Sequence, residues 1–287
     1  MGLAPIAIFI NSRIKVLMRT DHSVIYFDKT EPEVALKAET IWIDGVPYGL
    51  PSMAAQTSFD LSREHDVYTA LGCHQCITRC FGLVHDDNGN AIALKLERAS
   101  KGNLRHFIEE TPEVPSMYRR LEMADALVKC VAYIHSRGVV WGDLSTRNVL
   151  VFDDDSLKVC DFASSALDNV YPHFGIHTYE PGYCPALPED QVRALSMMQR
   201  ELYALGSAVL EVTAWKFPYA DVSGDIWGII ESGTMPVIAD NNPARDIITR
   251  CWDFGYDSAE AVADDLADVL VRLRNNQPIT QMTTNGT

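Results

Sequence analysis

The first third of the chain alternates short apolar runs with polar turns, a pattern typical of antiparallel strands. Three such runs occupy residues 14–18, 23–27 and 34–37. Two more, at residues 77–84 and 91–96, flank the turn sequence Asp86-Asp87-Asn88-Gly89. The pattern predicts a β-meander followed by a hairpin.

Apolar residues spaced three or four positions apart predict helices in the rest of the chain. A first helix is predicted over residues 62–71, after a segment rich in Gly and Pro at residues 44–51. From residue 116 a long amphipathic helix is predicted, with apolar positions at Met117, Leu121, Ala124, Leu127, Val131 and Ile134. Pro115-Ser116 provides its start signal and Gly138 its stop signal.

Further helical periodicity covers residues 202–212 and 259–273, so the second part of the chain is predicted to be mainly helical. The β-rich part and the helical part join near residues 97–104. We therefore expect an α+β fold. Residues 275–287 are polar and lack core-forming side chains, and we expect them to form a disordered tail.

The composition is that of an ordinary globular protein: 287 residues with 47% apolar side chains can bury a sizeable core. The net charge is −15 and there is no basic run, which argues against a nucleic acid or an anionic membrane surface as partner. The seven cysteines lack the spacing of a zinc site, since the close pairs Cys73/Cys76 and Cys76/Cys80 have no second pair or histidine set to complete it. We expect reduced, buried thiols in a cytoplasmic protein.

The beginning of the chain gives no sign of a membrane-targeting segment. Residues 1–10 are apolar but lack a basic leader, and no later stretch reaches about 18 uninterrupted apolar residues. The start Met1-Gly2-Leu3-Ala4-Pro5-Ile6 lacks the Ser or Thr of a myristoylation signal. We therefore expect no attachment to a membrane.

Candidate chemistry is concentrated in two short segments, residues 139–151 and 157–163, in which apolar runs flank Asp143, Asn148 and Asp161. A β-hairpin-like arrangement would bring these three side chains together in a cleft. Asn148 and Asp161 could then supply oxygen ligands to Mg²⁺, and Asp143 could accept a hydroxyl proton. Phosphoryl transfer needs this combination, because catalysis of that reaction depends on positioning and charge neutralisation.

These segments resemble the catalytic loop H-R-D-L-x-x-x-N and the D-F-G motif of the protein-kinase family. The resemblance extends over about residues 14–274. It implies a bilobal protein-kinase-like fold: a small antiparallel β-rich N-lobe with helix C at residues 1–96, then a hinge and a helical C-lobe at residues 97–274. Its style is similar to that of tyrosine-kinase-like domains and of divergent kinase-like proteins of filamentous fungi.

The resemblance also implies roles for residues of the β-rich part. Val34-Ala35-Leu36-Lys37 resembles the V-A-I-K strand, so Lys37 would hold the α- and β-phosphates and Glu64 on helix C would orient Lys37. Leu96 would be the gatekeeper, and the backbones of Glu97 and Ala99 would face adenine. Val24 matches the nucleotide-contacting valine that follows the glycine-rich loop.

In the helical part, Glu201-Leu202-Tyr203-Ala204-Leu205-Gly206 resembles the start of helix F, with Glu in place of the usual Asp. Pro218-Tyr219 and Cys251-Trp252 match short motifs of tyrosine-kinase and tyrosine-kinase-like domains. Two sequences compete for the end of the activation segment, Tyr183-Cys184-Pro185 and Leu187-Pro188-Glu189, and both alternatives stay open.

The chain also departs from the family pattern. Counting back from Val24, the three glycine positions of the phosphate-binding loop are Leu17, Arg19 and His22, which predicts weakened nucleotide binding. The catalytic-loop His-Arg is Trp141-Gly142, and Ala163 replaces the D-F-G glycine. Gly142 removes the cation that would pair with an activation-loop phosphate, so Ser164, Ser165, Thr178 and Tyr179 are expected to act unmodified.

Our leading hypothesis is an ATP- and Mg²⁺-dependent protein kinase that transfers the γ-phosphate to a protein hydroxyl without activation-loop control. Specificity stays open, because Ser145 stands where serine/threonine kinases carry Lys, whereas Arg147 is similar to tyrosine kinases. One alternative is a pseudokinase that binds nucleotide or docks a protein partner. Another is a small-molecule phosphotransferase of the aminoglycoside type, which shares the Gly-Asp pair at Gly142.

Overall fold

The computed structural model describes residues 10, 12–20, 23–49, 54–172 and 179–276. By its internal packing the chain forms two compact units. The first unit comprises Met1–Phe107, Ile134–Asp143 and Arg147–His177, and the second comprises Ile108–Tyr133, Leu144–Thr146 and Thr178–Thr287. The predicted lobe boundary between residues 96 and 97 stays a prediction.

All strands of the described residues belong to the first unit. They are β1 (Ile14–Arg19), β2 (Val24–Asp28), β3 (Val34–Ala38), β4 (Trp42–Ile43), β5 (Val46–Pro47), β6 (Cys80–His85), β7 (Ala91–Glu97), β8 (Val139–Val140), β9 (Val149–Val151), β10 (Leu157–Val159) and β11 (Ala166–Leu167). The helices are α1 (Ala54–Leu71), α2 (Leu104–Glu110), α3 (Met117–Ser136), α4 (Glu189–Ala194), α5 (Met197–Ala214), α6 (Ile226–Glu231), α7 (Arg245–Trp252) and α8 (Ala259–Asn276). The predicted α+β class and kinase-like order of elements are confirmed.

The main sheet of the first unit has the order β1-β2-β3-β7-β6, and all its neighbours are antiparallel. One face is covered by a core that includes Ile14, Val24, Tyr26, Ala38, Ile41, Ile43 and Ala93. Because side chains alternate along a strand, Ile25 and Phe27 of β2 point to the opposite face. That face carries Lys37, which lies directly across from Ile25.

Two local elements differ from the sequence prediction. The Gly- and Pro-rich segment contains a short hairpin, β4 with β5, turned by Asp44 (φ +52°) and Gly45 (φ +77°). Positive φ at both residues suits the Asp-Gly sequence, but strands of two residues are too short to show alternation. Helix α1 begins at Ala54, eight positions before the predicted start. The sequence pattern does not reveal its first turns, because they carry the exposed Phe59 and no apolar stripe.

The hairpin predicted for the catalytic segments is present. β9 pairs with β10 through the partners Val149/Val159 and Val151/Leu157. Asn148 immediately precedes β9, and Asp161 follows β10 after one residue. β8 pairs with β11 and thereby joins the segments on either side of this hairpin.

The second unit is organised around the buried helix α5, whose N-terminus carries a capping box formed by Ser196 and Gln199. A Cβ at Gly206 would lie 2.6 Å from the Cβ of Cys251, so this glycine allows α5 and α7 to pack closely. Trp252 on α7 donates from Nε1 to Ser207 Oγ at 3.1 Å. The sequence motifs at Gly206 and Cys251-Trp252 therefore describe one helix contact.

Helix α8 continues through Asn276, so the first two residues of the predicted disordered tail are helical, and residues 277–287 lie outside the described part. The expectation of reduced thiols is wrong for Cys76 and Cys130, which are disulfide-bonded. Cysteine spacing along the chain does not reveal such bonding. Of the helices in the described residues, none is both long and apolar enough to cross a membrane.

Candidate active site

The sheet face that carries Lys37 opens into a cleft of the first unit with a volume of about 620 Å³. This volume lies in the range of small-molecule sites. The cleft is lined by seven of the predicted site residues: Lys37, Leu96, Glu97, Ala99, Arg147, Asn148 and Asp161. Leu96 is 7% exposed, and Arg147 is exposed.

Lys37 contacts two carboxylates at the inner end of this cleft. Its Nζ lies 2.7 Å from Glu64 Oε2 and 2.8 Å from Asp161 Oδ1. Burial alone would lower the pKa of Lys37, but the attraction to Asp161 and Glu64 outweighs it and raises the pKa above its usual value. Lys37 is therefore a buried cation that joins β3, α1 and the segment after β10.

Glu64 projects from α1 and is 1% exposed. Besides the contact with Lys37, its Oε1 accepts a hydrogen bond from the backbone amide of Phe162 at 3.2 Å. Burial raises the pKa of Glu64, Lys37 opposes the shift, and the charge of Asp161 adds to it. The carboxylate thus connects the helix to both the lysine and the segment Asp161-Phe162-Ala163, called here the D-F-A segment.

Asp161 adopts a left-handed backbone conformation with φ of +61°, which Asp tolerates better than most residues. Its Oδ1 also accepts from the amide of Ala163 at 3.3 Å. Burial tends to raise its pKa, but Lys37 outweighs this effect, so the pKa lies below its usual value. The side chain is 38% exposed, so an anionic carboxylate is available at the cleft surface.

Asn148 and Asp143 form a second pair. Asn148 Nδ2 donates to the backbone oxygen and to Oδ2 of Asp143, each at 2.9 Å. This pair of bonds fixes the amide with its nitrogen toward Asp143, which leaves Oδ1 as the acceptor on the other side. The arrangement can orient a proton-accepting carboxylate and present an amide oxygen at once.

The residue types fit a hard divalent cation that shares its coordination with phosphates. Asn148 and Asp161 both line the cleft and offer oxygen ligands. Within the described residues, no cluster of three or more His, Cys, Asp or Glu side chains could hold a metal. Mg²⁺ commonly binds through one or two protein groups plus substrate phosphates, so this small donor set suits Mg²⁺ with a nucleotide.

Trp141 and Gly142 replace the His-Arg pair of the family pattern with a different internal support. Trp141 is fully buried, and its Nε1 donates to the carbonyls of Cys160 at 3.1 Å and Asp161 at 3.0 Å. Its ring lies 6.1 Å from that of Phe162. Gly142 has φ of +82°, a conformation that favours glycine. No pattern in the sequence indicates these hydrogen bonds of Trp141.

Val24 lies apart from the other predicted site residues. It is 1% exposed in the core behind the sheet. Ile25, the cross-strand partner of Lys37, lines the cleft instead. Counting back from Ile25 moves the three glycine positions by one residue, to Met18, Thr20 and Ser23.

The turn between β1 and β2 is closed on itself. The amide of Thr20 donates to the carbonyl of Ser23 at 2.8 Å, and the amide of Ser23 donates to Thr20 Oγ1 at 2.9 Å. Both amides are therefore engaged within the turn. His22, which sequence analysis placed at a glycine position, lies outside the described residues.

Sequence analysis missed several residues that line the cleft. Leu17 and Met18 contribute an apolar edge from β1, where a bulge lies between Val16 and Met18. Besides the predicted Arg147, basic side chains reach the cleft at Lys15, Arg98, Lys101 and His106. These residues are scattered along the chain, so no local pattern could have grouped them. They give an acidic protein a cleft suited to an anion.

Two of the four candidate phosphorylation residues are buried. Ser165 is 0% exposed, and its Oγ donates to the carbonyl of Trp141 at 2.7 Å. Tyr179 is 3% exposed. Ser164 is partly exposed, and Thr178 lies outside the described residues. The structure therefore assigns Ser165 to the support of Trp141.

Comparison with known proteins gives matches over most of the chain. The sequence model of the family described as protein tyrosine and serine/threonine kinase matches residues 50–258. A probable LIM domain-containing serine/threonine-protein kinase of Dictyostelium discoideum is 25% identical over 185 residues, 62% of this chain and 18% of that protein. A probable serine/threonine-protein kinase of Clostridium acetobutylicum is 22% identical over 203 residues, 66% of this chain and 30% of that protein.

The insulin receptor of Xenopus laevis is 22% identical over 243 residues, 79% of this chain and 17% of that protein. The matched segment thus spans no more than 30% of the length of any of these three relatives. The similarity concerns the part of each relative that aligns with this chain.

Proposed function

The chain belongs to the family of protein tyrosine and serine/threonine kinases, and from this premise we propose that it transfers the γ-phosphate of ATP to a hydroxyl group of a protein substrate. The observation that carries the proposal is the contact of Lys37 Nζ with both Glu64 and Asp161. A cation held in this way can neutralise nucleotide phosphates while α1 and the D-F-A segment stay in fixed positions.

The proposed reaction assigns one role to each side of the cleft. Lys37 binds and orients the α- and β-phosphates, and Asn148 and Asp161 would hold Mg²⁺. The metal would supply neutralisation of phosphate charge. Leu96 with the backbones of Glu97 and Ala99 would bind adenine, and Arg147 would orient the substrate near Asp143.

Asp143 acts as the proton acceptor, with its carboxylate oriented by Asn148 Nδ2. The substrate hydroxyl gives its proton to Asp143, and its oxygen forms the new bond to the γ-phosphorus. The bond between that phosphorus and the β–γ bridging oxygen breaks, and ADP leaves with the electron pair. The chain contributes positioning and charge, which is what this reaction chiefly requires.

A second candidate function is a docking module that binds nucleotide weakly or not at all. The turn between β1 and β2 favours it, because the amides of Thr20 and Ser23 are already bonded within the turn. Ala163 in place of the D-F-G glycine also favours it. The catalytic proposal is supported instead by the presence of the five proposed site residues, Lys37, Glu64, Asp143, Asn148 and Asp161.

A phosphoryl-transfer assay separates the two functions. Purified protein with ATP and Mg²⁺ is tested on Ser-, Thr- and Tyr-containing peptides, alongside Asp143→Asn. We expect transfer by the wild type and a loss of about 100-fold or more in kcat for the variant, with ATP binding retained, because the proton acceptor is lost. Equal rates would remove Asp143 from the mechanism. Nucleotide binding without transfer to any peptide would favour the docking module.

A further inference from the structure

We infer that Arg63 is a positioning residue for the proposed kinase reaction. Its buried guanidinium connects α1 to residues 162–171, the segment after Asp161, and so holds the proposed metal-binding aspartate in place. The inference rests on the proposed function for its catalytic consequence. The contacts that carry it lie entirely within the first unit.

The guanidinium of Arg63 is committed to backbone carbonyls. Nη1 donates to the carbonyl of Ala163 and Nη2 to the carbonyl of Ser165. Arg63 is 1% exposed although it carries a charge. A buried charge of this kind is costly unless it is hydrogen-bonded, and charge-assisted bonds from the two arms of one guanidinium also fix direction.

Tyr171 extends the same contact further along the segment. Its ring lies over the guanidinium, with the Arg63 Cζ 5.4 Å from the ring centroid. The Tyr171 hydroxyl donates to Asp66 Oδ2 on α1 at 2.8 Å. Helix α1 therefore contacts the segment at two places. Arg63 binds the carbonyls of Ala163 and Ser165, and Asp66 binds the hydroxyl of Tyr171.

Two neighbouring contacts of α1 connect these bonds to Asp161. Glu64, adjacent to Arg63, accepts from the amide of Phe162, and Tyr68 meets the Phe162 ring edge-on with centroids 4.9 Å apart. Asp161 immediately precedes these held residues in the chain. Loss of the Arg63 bonds would therefore free the backbone that sets the position of the Asp161 carboxylate.

This arrangement supplies an ordering cation in a chain that has Gly142 instead of an arginine before Asp143. Arg63 bonds the segment through backbone carbonyls, and those acceptors need no phosphate. The order of the segment is thus built into the unmodified protein, which would make activity independent of phosphorylation there.

The experiment compares wild type, Arg63→Met and Arg63→Lys by calorimetric titration with ATP, once with Mg²⁺ and once with EDTA, and by kcat and KM for transfer. We expect Arg63→Met to lose about tenfold or more of the Mg²⁺-dependent gain in affinity and of kcat, while binding in EDTA stays within about twofold. Arg63→Lys should recover part of the Mg²⁺-dependent affinity and part of kcat. An ammonium can still donate to a backbone carbonyl, but it lacks the two-armed geometry of the guanidinium. A merely structural role would instead weaken both titrations alike.

Arg137→Met is the matched control. Arg137 also donates from its guanidinium to a backbone carbonyl, but to that of Ala70 on α1, at 2.9 Å, rather than to the segment after Asp161. Its loss should leave the Mg²⁺-dependent gain unchanged. If Arg63→Met is poorly folded, Tyr171→Phe keeps the ring and removes only the hydroxyl bond to Asp66, and a smaller loss in the same direction is expected.

Hydrogen exchange of the apo protein tests the inference separately from the proposed function. Backbone amides of residues 163–171 should exchange faster in Arg63→Met than in wild type or Arg137→Met. Unchanged exchange, or an active wild type matched by Arg63→Met, would overturn the inference. A different outcome would refute the proposed function alone: the wild type neither binds ATP nor transfers phosphate, but residues 163–171 still exchange faster in Arg63→Met. Arg63 would then have only a structural role.

Discussion

At the scale of single residues, Lys37 is the one cation in direct contact with both Glu64 and Asp161 among the described ion pairs. The two carboxylates differ, since the pKa of Asp161 is lowered whereas burial raises the pKa of Glu64. Asp161 thus contributes stability that is present above the usual Asp pKa and is lost as pH falls. Glu64 has the opposite tendency, because a raised pKa in the folded state favours the protonated form.

Lys37→Met should therefore destabilise the protein in a pH-dependent way. Without the ammonium, burial and mutual repulsion raise both carboxyl pKa values, so the folded state retains protons that the unfolded state has already released above about pH 4. The stability lost should grow as pH rises, from a small loss at pH 5 to about 3 kcal/mol at pH 8. Urea unfolding at both pH values measures it.

Lys158→Met is the control for this experiment. Lys158 contacts a single carboxylate, that of Glu97 at 2.8 Å, and both side chains are partly exposed. Its loss should cost less than about 1 kcal/mol at either pH. A destabilisation by Lys37→Met that is equal at pH 5 and pH 8 would contradict the charge balance described for the cleft.

At the scale of elements, the turn between β1 and β2 decides how closely the backbone can approach phosphate. Ile25 faces the cleft across from Lys37, and counting back from Ile25 predicts the glycine positions at Met18, Thr20 and Ser23. The amide of Ser23 donates to the hydroxyl of Thr20, and the amide of Thr20 donates to the carbonyl of Ser23. In a glycine loop, such amides would be available to the phosphates. We expect ATP to bind the wild type weakly, with Kd on the order of 1 mM.

The double variant Thr20→Gly with Ser23→Gly should tighten ATP binding about tenfold, because it removes the side-chain bonds that close the turn and allows closer backbone approach. Isothermal titration with ATP and Mg²⁺ provides the measurement. Arg19→Gly, one position away on β1, serves as the control and should not tighten binding. If Arg19→Gly is the more effective change, the glycine positions lie one residue earlier, as counting from Val24 predicts.

At the scale of the whole molecule, the family membership is established, and we propose that the activity does not depend on a phosphorylated activation segment. Gly142 supplies no cation before Asp143, while Arg63 binds unmodified backbone. Of the candidate phosphorylation residues, Ser165 is engaged with Trp141 and Tyr179 is buried. Regulation by phosphates on these residues would require the surrounding structure to open.

Phosphatase treatment should therefore change the rate of phosphoryl transfer by less than about tenfold, which corresponds to about 1.4 kcal/mol of transition-state stabilisation. The treated and untreated proteins are compared in one assay, together with Ser164→Ala. Ser165 is left intact, because its removal would disturb Trp141 whether or not it is modified. A larger loss on dephosphorylation would mean that another cation binds an activation-segment phosphate.

The sequence by itself determined the order and type of the long elements and the family. Strand alternation and helical spacing are local properties, so β1–β3, β7 and α3 could be predicted closely. The proposed catalytic residues stand in short segments with characteristic spacing, and the order of these motifs is enough to predict a common site for Asp143, Asn148 and Asp161. The short hairpin β4–β5 and the start of α1 were missed because they lack a sufficiently long apolar period.

Only the tertiary structure decided which side chains face one another. A shift of one residue in a strand moves every side chain to the other face, so the choice between Val24 and Ile25 required the pairing with Lys37. The contact of Arg63 with Ala163 and Ser165 joins residues about 100 positions apart. Such contacts depend on how α1 packs against a distant segment, and the free energy of burying a cation is lowered only once those carbonyls are in place.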